Sequence, residues 1–307
     1  MGNDLLYKLQ SQIEIVIKGK SNVIKKAFIT LLSKGHLLIE DIPGVGKTTL
    51  AYTIAKSINC SFQRIQFTSD LLPTDIIGVN IYNQETREFE FRKGPIFSNI
   101  VLADEINRTN PKTQSALLEA MNERRVSIER KTYLLPEPFM VIATQNPIEY
   151  HGTFPLPESQ LDRFMMHIKI GYPDEEYEKQ ILLQPSPIEI ADKIKPIITS
   201  ADIIRMQNEI DNVTVEESLL DYIMSIITET RKDDRIRLGV SPRGGQFLLR
   251  SSKASAYFDG RNYVLPGDIK ELAPLVFGHR IILKTKSYIS DAEKVIEDIL
   301  DKIPVPL

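Results

Sequence analysis

The chain has 307 residues, 42% of them hydrophobic and 26% charged, and its 38 basic and 41 acidic side chains leave a net charge of −3. This is an ordinary globular composition, with length for one large and one smaller domain at roughly 100–200 residues each, and it sets up no global field to draw the protein to nucleic acid or anionic lipid. The lone Cys60 excludes an internal disulfide and a Cys-based zinc site and suits a reducing compartment; no apolar run reaches the roughly 18 residues a membrane span needs, so no membrane insertion is expected and cytoplasmic residence is the default.

At the N-terminus, Leu5, Leu6, Leu9, Ile13 and Val16 recur among Lys8, Gln10, Gln12 and Glu14. This predicts an amphipathic helix rather than the unbroken apolar core of a signal peptide. Leu37-Leu38-Ile39 then reads as a short strand running straight into Asp41-Ile42-Pro43-Gly44-Val45-Gly46-Lys47-Thr48-Thr49. A Gly-x-Gly-Lys-Thr turn that opens a helix is a phosphate-binding loop. Its glycines allow torsions and close approach that a Cβ forbids, and the amides and dipole of the helix beginning near Lys47 face the anion. Pro43, Gly44, Val45, Gly46, Lys47, Thr48 and Thr49 are the expected triphosphate cradle, with Lys47 on the β- and γ-phosphates and the Thr48 hydroxyl on Mg²⁺. One position departs from the general pattern: Asp41 stands where a glycine is usual. The alternative for the loop alone is an ordinary strand-to-helix turn with a surface lysine.

Phe62–Thr68 is the next strand candidate, and Ile77–Arg92 alternates around Asn83-Gln84-Glu85-Thr86 as a projecting hairpin would. Ile100-Val101-Leu102-Ala103 suits a strand buried on both faces, and it ends in Asp104-Glu105. Two acids at the end of a buried strand are costly without compensation. Asp104 suits the Mg²⁺ shell, and Glu105 the orientation and polarisation of the water that attacks the γ-phosphate. A helix with Leu117, Leu118 and Met121 precedes a second candidate hairpin, Arg125–Leu135, and Phe139–Thr144 and Met165–Ile170 complete the strands. Strands alternating with helical periodicity argue for a parallel sheet covered by helices.

After Gly171-Tyr172-Pro173 come an acidic helix and a Pro185-Ser186-Pro187 connector, and from Ser200 the pattern is helical almost throughout. Thr214-Val215-Glu216-Glu217 reads as a capping box ahead of Leu219, Ile223, Ile226 and Ile227, and Ser241-Pro242 and Pro266-Gly267-Asp268 as further helix starts. The expected fold is an α/β nucleotide-binding domain over 1–198 with two inserted β-hairpins, followed by a smaller all-α domain over 199–307. His36, His151, His167 and His279 make no metal-ligand spacing. Arg124, Arg125, Arg130 and Lys131 read as a solvated face or subunit contact, with nucleic-acid contact as the alternative.

Five blocks together resemble the MoxR family of AAA+ ATPases over nearly the whole chain: residues 37–48, Ala103-Asp104-Glu105-Ile106-Asn107-Arg108, residues 112–121, Ala143-Thr144-Gln145-Asn146-Pro147 and Leu161-Asp162-Arg163-Phe164. Asp at the first loop position is common in that family, which accommodates Asp41. The resemblance implies an AAA+ P-loop fold with a sheet sandwiched by helices and a C-terminal all-α lid, the strand of Phe139–Thr144 lying between those that carry Lys47 and Asp104. It implies that Asn146 is the first sensor, holding the attacking water opposite Glu105, and that Arg163 is an arginine finger reaching the γ-phosphate of a neighbouring subunit. Arg243 matches the second sensor, reaching from the lid to the phosphates, and Ile17 and Gly19, within Val16-Ile17-Lys18-Gly19, match the segment packed on adenine. The two hairpins would line the pore face of a homo-oligomeric, hexameric ring. ATP and Mg²⁺ are the implied cofactors, and the implied role is chaperone-like maturation of partner complexes, frequently with proteins that carry a von Willebrand factor A domain. Two rival classes share the core: a nucleic-acid-directed motor, against which the acidic balance speaks, and a nucleotide switch with little hydrolysis, against which Glu105, Asn146 and Arg163 together speak.

Overall fold

A computed structural model describes residues 2–128, 131–146, 153–285 and 288–306. Helices α1 (Gly2–Glu14) and α2 (Ser21–Leu32) precede β1 (Leu37–Glu40), which the glycine loop joins to α3 (Lys47–Ser57). β2 (Phe62–Gln66) leads through α4 (Pro73–Ile77) to an antiparallel hairpin of β3 (Gly78–Asn83) and β4 (Glu88–Lys93). β5 (Ile100–Asp104), α5 (Pro111–Glu123), a second hairpin of β6 (Arg125–Ile128) and β7 (Lys131–Leu134), and β8 (Met140–Gln145) follow. After α6 (Glu158–Leu161) and β9 (Met166–Ile168) come α7 (Glu175–Leu183), α8 (Pro187–Asp192) and α9 (Ser200–Glu209). The C-terminal region holds α10 (Glu217–Lys232), β10 (Ile236–Leu238), α11 (Pro242–Phe258), α12 (Pro266–Phe277), β11 (Ile282–Leu283) and α13 (Ile289–Lys302).

One parallel sheet runs in the order β2-β5-β8-β1-β9, so β8 lies between β1 and β5 as the resemblance implies. Residues 37–39, 100–103 and 140–143 are fully buried. They read as unbroken apolar runs because both faces of the sheet are covered. Successive side chains take opposite faces: Leu37, Ile39, Leu102 and Ile142 join one apolar core with α1, α2 and α3, and Leu38, Val101, Val141 and Ala143 join another with Leu117, Leu118 and Met121 of α5. The first core continues through α1 and α2 to Leu248 of α11, Leu272 of α12 and Ile296 of α13. Ile39 lies opposite Thr144 and Ala103 opposite Ala143, so the carboxyl ends of β1, β8 and β5 finish side by side. Parallel α/β sheets bind ligands at such ends.

Several expectations change in detail. The Thr214 capping box does not form: Glu216 is the N-cap of α10, without a side-chain cap bond. Thr214 instead bridges to Tyr263 and donates its hydroxyl to Asn262 O at 3.0 Å, a long-range pairing that outcompetes the local motif. Pro187 is the first residue of α8 rather than part of a connector. The C-terminal region also contains an antiparallel pair, β10 with β11, so it is not purely helical. Ser241 does cap α11, accepting from Gly244 N at 3.2 Å, and Asp268 accepts from Leu265 N at 2.8 Å at the start of α12. The two hairpins meet through Phe91 and Tyr133, whose ring centroids lie 4.3 Å apart.

Candidate functional site

Gly44 and Gly46 have φ of +86° and +93°, torsions that side chains rarely adopt. Gly46 is the N-cap of α3, whose first-turn N–H groups have no intrahelical acceptor. A Cβ built at Gly44 would meet nothing within 4 Å, whereas one at Gly46 would lie 3.8 Å from Ile17 Cδ1. Lys47 Nζ donates to the carbonyls of Asp41 and Ile42, the latter at 3.0 Å. Burial pushes the Lys47 pKa down, while Asp41, Asp104 and Glu105 oppose that shift. The carboxylate of Asp41 is buried and accepts from Ile42 N at 2.8 Å and from Ile170 N and Gly171 N at 2.7 Å each. It fastens the loop to the segment that leaves β9.

Asp104 and Glu105 stand at the end of β5 on a shared support. Thr144 of β8 donates its hydroxyl to Asp104 Oδ1 at 2.6 Å and accepts from Glu105 N at 2.8 Å. Glu105 itself adopts left-handed torsions, φ 57° and ψ 49°, a conformation that costs a non-glycine residue about 1 kcal/mol. Its Oε2 accepts from Gln66 Nε2 at 2.7 Å and from Arg108 Nη1 at 3.0 Å. Asp104 Oδ2 accepts from Arg64 Nη2 at 2.6 Å and Nε at 3.1 Å.

These groups converge. Pro43, Gly44, Gly46, Lys47, Thr48, Thr49, Asp104, Glu105 and Asn146 line one cleft of about 340 Å³ together with Arg64 and Gln66. Val45 turns away and packs on the apolar core. A larger cleft of about 850 Å³, between α10 and residues 302–306, holds none of these groups. Gly19 lies against the ring of Tyr177 on α7. Arg163 and Arg243 do not line the cleft of their own chain. Arg163 Nη1 donates to Leu118 O on α5 at 2.6 Å. Arg243 Nη1 lies 4.0 Å from Asp162 Oδ2 with its side chain 45% exposed, and Asp162 is held mainly by the buried Arg280, Nε to Oδ1 at 2.9 Å.

Sequence reasoning missed Arg64, Gln66 and Thr144. The available signal for the first two is the alternation Arg64-Ile65-Gln66, in which only Ile65 is buried, so both polar side chains share the other face. The histidines inside the described residues are structural. His36 Nδ1 accepts from Val141 N at 2.9 Å, and burial brings its pKa down to about 4. Burial also lowers His167, but Glu293 at 2.9 Å and Glu40 at 3.1 Å outweigh it and raise the pKa; burial and Arg280 hold His279 well below the usual range. Arg124 donates to Lys34 O at 2.8 Å and Arg125 pairs with Glu123 at 2.9 Å, so two members of the basic cluster are engaged within the fold. Arg130, Pro147 and His151 lie outside the described residues.

Comparison with known proteins bears on this geometry. Residues 36–166 match the ATPase family associated with various cellular activities (AAA), and residues 228–303 match the AAA lid domain. The chain is 47% identical over 305 residues to the uncharacterized protein YeaC of Bacillus subtilis, covering 99% of this chain and 95% of that one. It is 40% identical over 306 residues to the chaperone MoxR1 of Mycobacterium tuberculosis, covering 96% and 81% respectively. A crystal structure of a protein from Cytophaga hutchinsonii assigned as an ATPase superposes with a TM-score of 0.90 at 42% identity, over 100% of this chain and 96% of that one.

Proposed function

The chain belongs to the MoxR family of AAA+ ATPases, and from that premise we propose that it binds ATP with Mg²⁺ in the cleft at the ends of β1, β5 and β8 and hydrolyses the γ-phosphate. The observation that carries this reading is the convergence of the Gly44–Gly46 turn, Lys47, Thr48, Asp104, Glu105 and Asn146 on one cleft. The donors fit the metal: a buried carboxylate and a hydroxyl are hard oxygen ligands, and the open space beside Gly44 leaves room for phosphate.

In this reading the free amides opening α3 and Lys47 hold the β- and γ-phosphates, while Ile17 and Gly19 border the base. Thr48 and Asp104 would hold Mg²⁺, which supplies charge neutralisation on the phosphate oxygens. Glu105 orients a water and accepts its proton as the water oxygen bonds to the γ-phosphorus, Asn146 fixes that water from the opposite side, and the bond to the bridging oxygen breaks to leave ADP and phosphate. Arg163 and Arg243 fit roles completed by movement or by a neighbour, because each lies outside its own cleft: Arg163 acts on the next subunit's γ-phosphate, and Arg243 arrives as the lid closes.

The assembly in this proposal is a homo-oligomeric, hexameric ring in the cytoplasm, with an AAA+ unit over residues 1–198 and a lid over 199–307. The relative named chaperone MoxR1 supports remodelling or maturation of protein complexes as the output, with von Willebrand factor A domain proteins as the expected partners. The exposed Phe89 and Tyr82 of the first hairpin suit contact with such a protein. Lys47→Ala is expected to abolish binding of a fluorescent ATP analogue, and Glu105→Gln to keep it while turnover drops about 10²–10⁴-fold. Full turnover by Glu105→Gln would reject the assignment.

A further inference from the structure

Arg64 belongs to none of the motifs that suggest the nucleotide site, yet it occupies one oxygen of the proposed metal ligand. Asp104 Oδ1 is taken by the Thr144 hydroxyl at 2.6 Å, and Oδ2 by both Nη2 and Nε of Arg64, at 2.6 and 3.1 Å. A carboxylate only 7% exposed is costly to bury without a cation, and β2 supplies one from within the chain. The contact joins a guanidinium to a carboxylate, so a competing cation can displace it. Arg64 also has somewhere to go. Its side chain is 48% exposed and Nη2 keeps a second acceptor, Gln66 Oε1, at 2.7 Å. Arg280, by contrast, holds Asp162 with a side chain 1% exposed and has no such freedom.

We propose that Arg64 is an internal competitor of Mg²⁺ for Asp104: a positioning residue that orients and neutralises the carboxylate, yields Oδ2 when metal and nucleotide enter, and thereby sets the metal concentration at which the site loads. This rests on the reading of the cleft as a Mg²⁺-nucleotide site. The test is binding of a fluorescent ADP analogue to the full-length protein, at fixed nucleotide across a Mg²⁺ titration and separately in excess chelator. For Arg64→Gln the Mg²⁺ midpoint is expected to fall about tenfold, the worth of one charge-assisted hydrogen bond, with affinity in chelator unchanged. Arg64→Lys, which keeps the charge but not the fork, is expected to fall between, and it carries the test if the glutamine variant does not fold. An unchanged or higher midpoint in the variants, beside metal-dependent binding by the wild type, overturns the role of Arg64 alone. Loss of affinity in chelator also overturns it, because Arg64 would then be a phosphate ligand. A wild type that binds no nucleotide with or without Mg²⁺ overturns the site reading and the proposal with it.

Discussion

At the scale of single residues, the cleft is held by side chains chosen for their partners rather than for their charge. Thr144 joins the two acids through one hydroxyl, and Glu105 keeps its left-handed backbone against a local cost because that amide bond anchors it. His36 shows the same logic in the core beneath. Its folded pKa of about 4 lies below the ordinary 6.5, so the fold favours the neutral ring. The sign follows: the contribution is complete above pH 6.5 and is lost as pH falls from 6.5 towards 4, where the unfolded chain takes up a proton and the folded one does not. The shift is worth about 3 kcal/mol. Urea midpoints at pH 7 and pH 4.5 should therefore differ less for His36→Gln than for the wild type. An identical pH dependence in the two proteins would exclude His36 as a source. His167, with its raised pKa, contributes oppositely, being fully stabilising below 6.5 and losing that contribution as pH rises through its folded value, which is why the comparison is between variants and not of absolute slopes.

At the scale of elements, Asp41 is the junction. The residue that breaks the general phosphate-loop pattern binds three backbone amides, two of them just beyond β9, so it ties the loop to the edge of the sheet. Asp41→Ala is expected to cost about 2–4 kcal/mol in urea unfolding, since it strands buried N–H donors, and Asp41→Asn about half of that. A loss below about 0.5 kcal/mol, typical of surface changes, would show that the tie is incidental. β1, β5 and β8 are legible in the sequence because burial on both faces leaves an unbroken apolar signature, and the loop and Asp104-Glu105 are legible because their chemistry sits at the ends of those runs. Arg64 and Gln66 are not, since a half-exposed edge strand with alternating polar residues looks the same whether or not one face meets an active site. Thr214 misleads for a related reason: its capping pattern is local, while its actual partners, Asn262 and Tyr263, lie far along the chain.

At the scale of the whole molecule, one apolar core runs from the sheet through α1 and α2 into α11, α12 and α13, and the Glu40–His167–Glu293 contacts add a polar link from β1 to α13. The hairpins, inserted between β2 and β5 and between β5 and β8, meet through Phe91 and Tyr133. Among the described residues no helix is long and apolar enough to cross a membrane. In the proposed reading a single chain does not contain a complete site: Arg163, held at Leu118 O and not in its own cleft, would act on a neighbour. Mixing two inactive variants tests this most directly: Glu105→Gln lacks the base but keeps the arginine, and Arg163→Ala the reverse. Each alone should turn over ATP about 10³–10⁵-fold more slowly for loss of the arginine, or about 10²–10⁴-fold for loss of the base. An equimolar mixture should regain turnover, because about one quarter of head-to-tail interfaces then unite an intact Glu105 with a neighbour's intact Arg163. Normal hydrolysis by Arg163→Ala alone, or a mixture as inactive as its parts, would contradict a shared site.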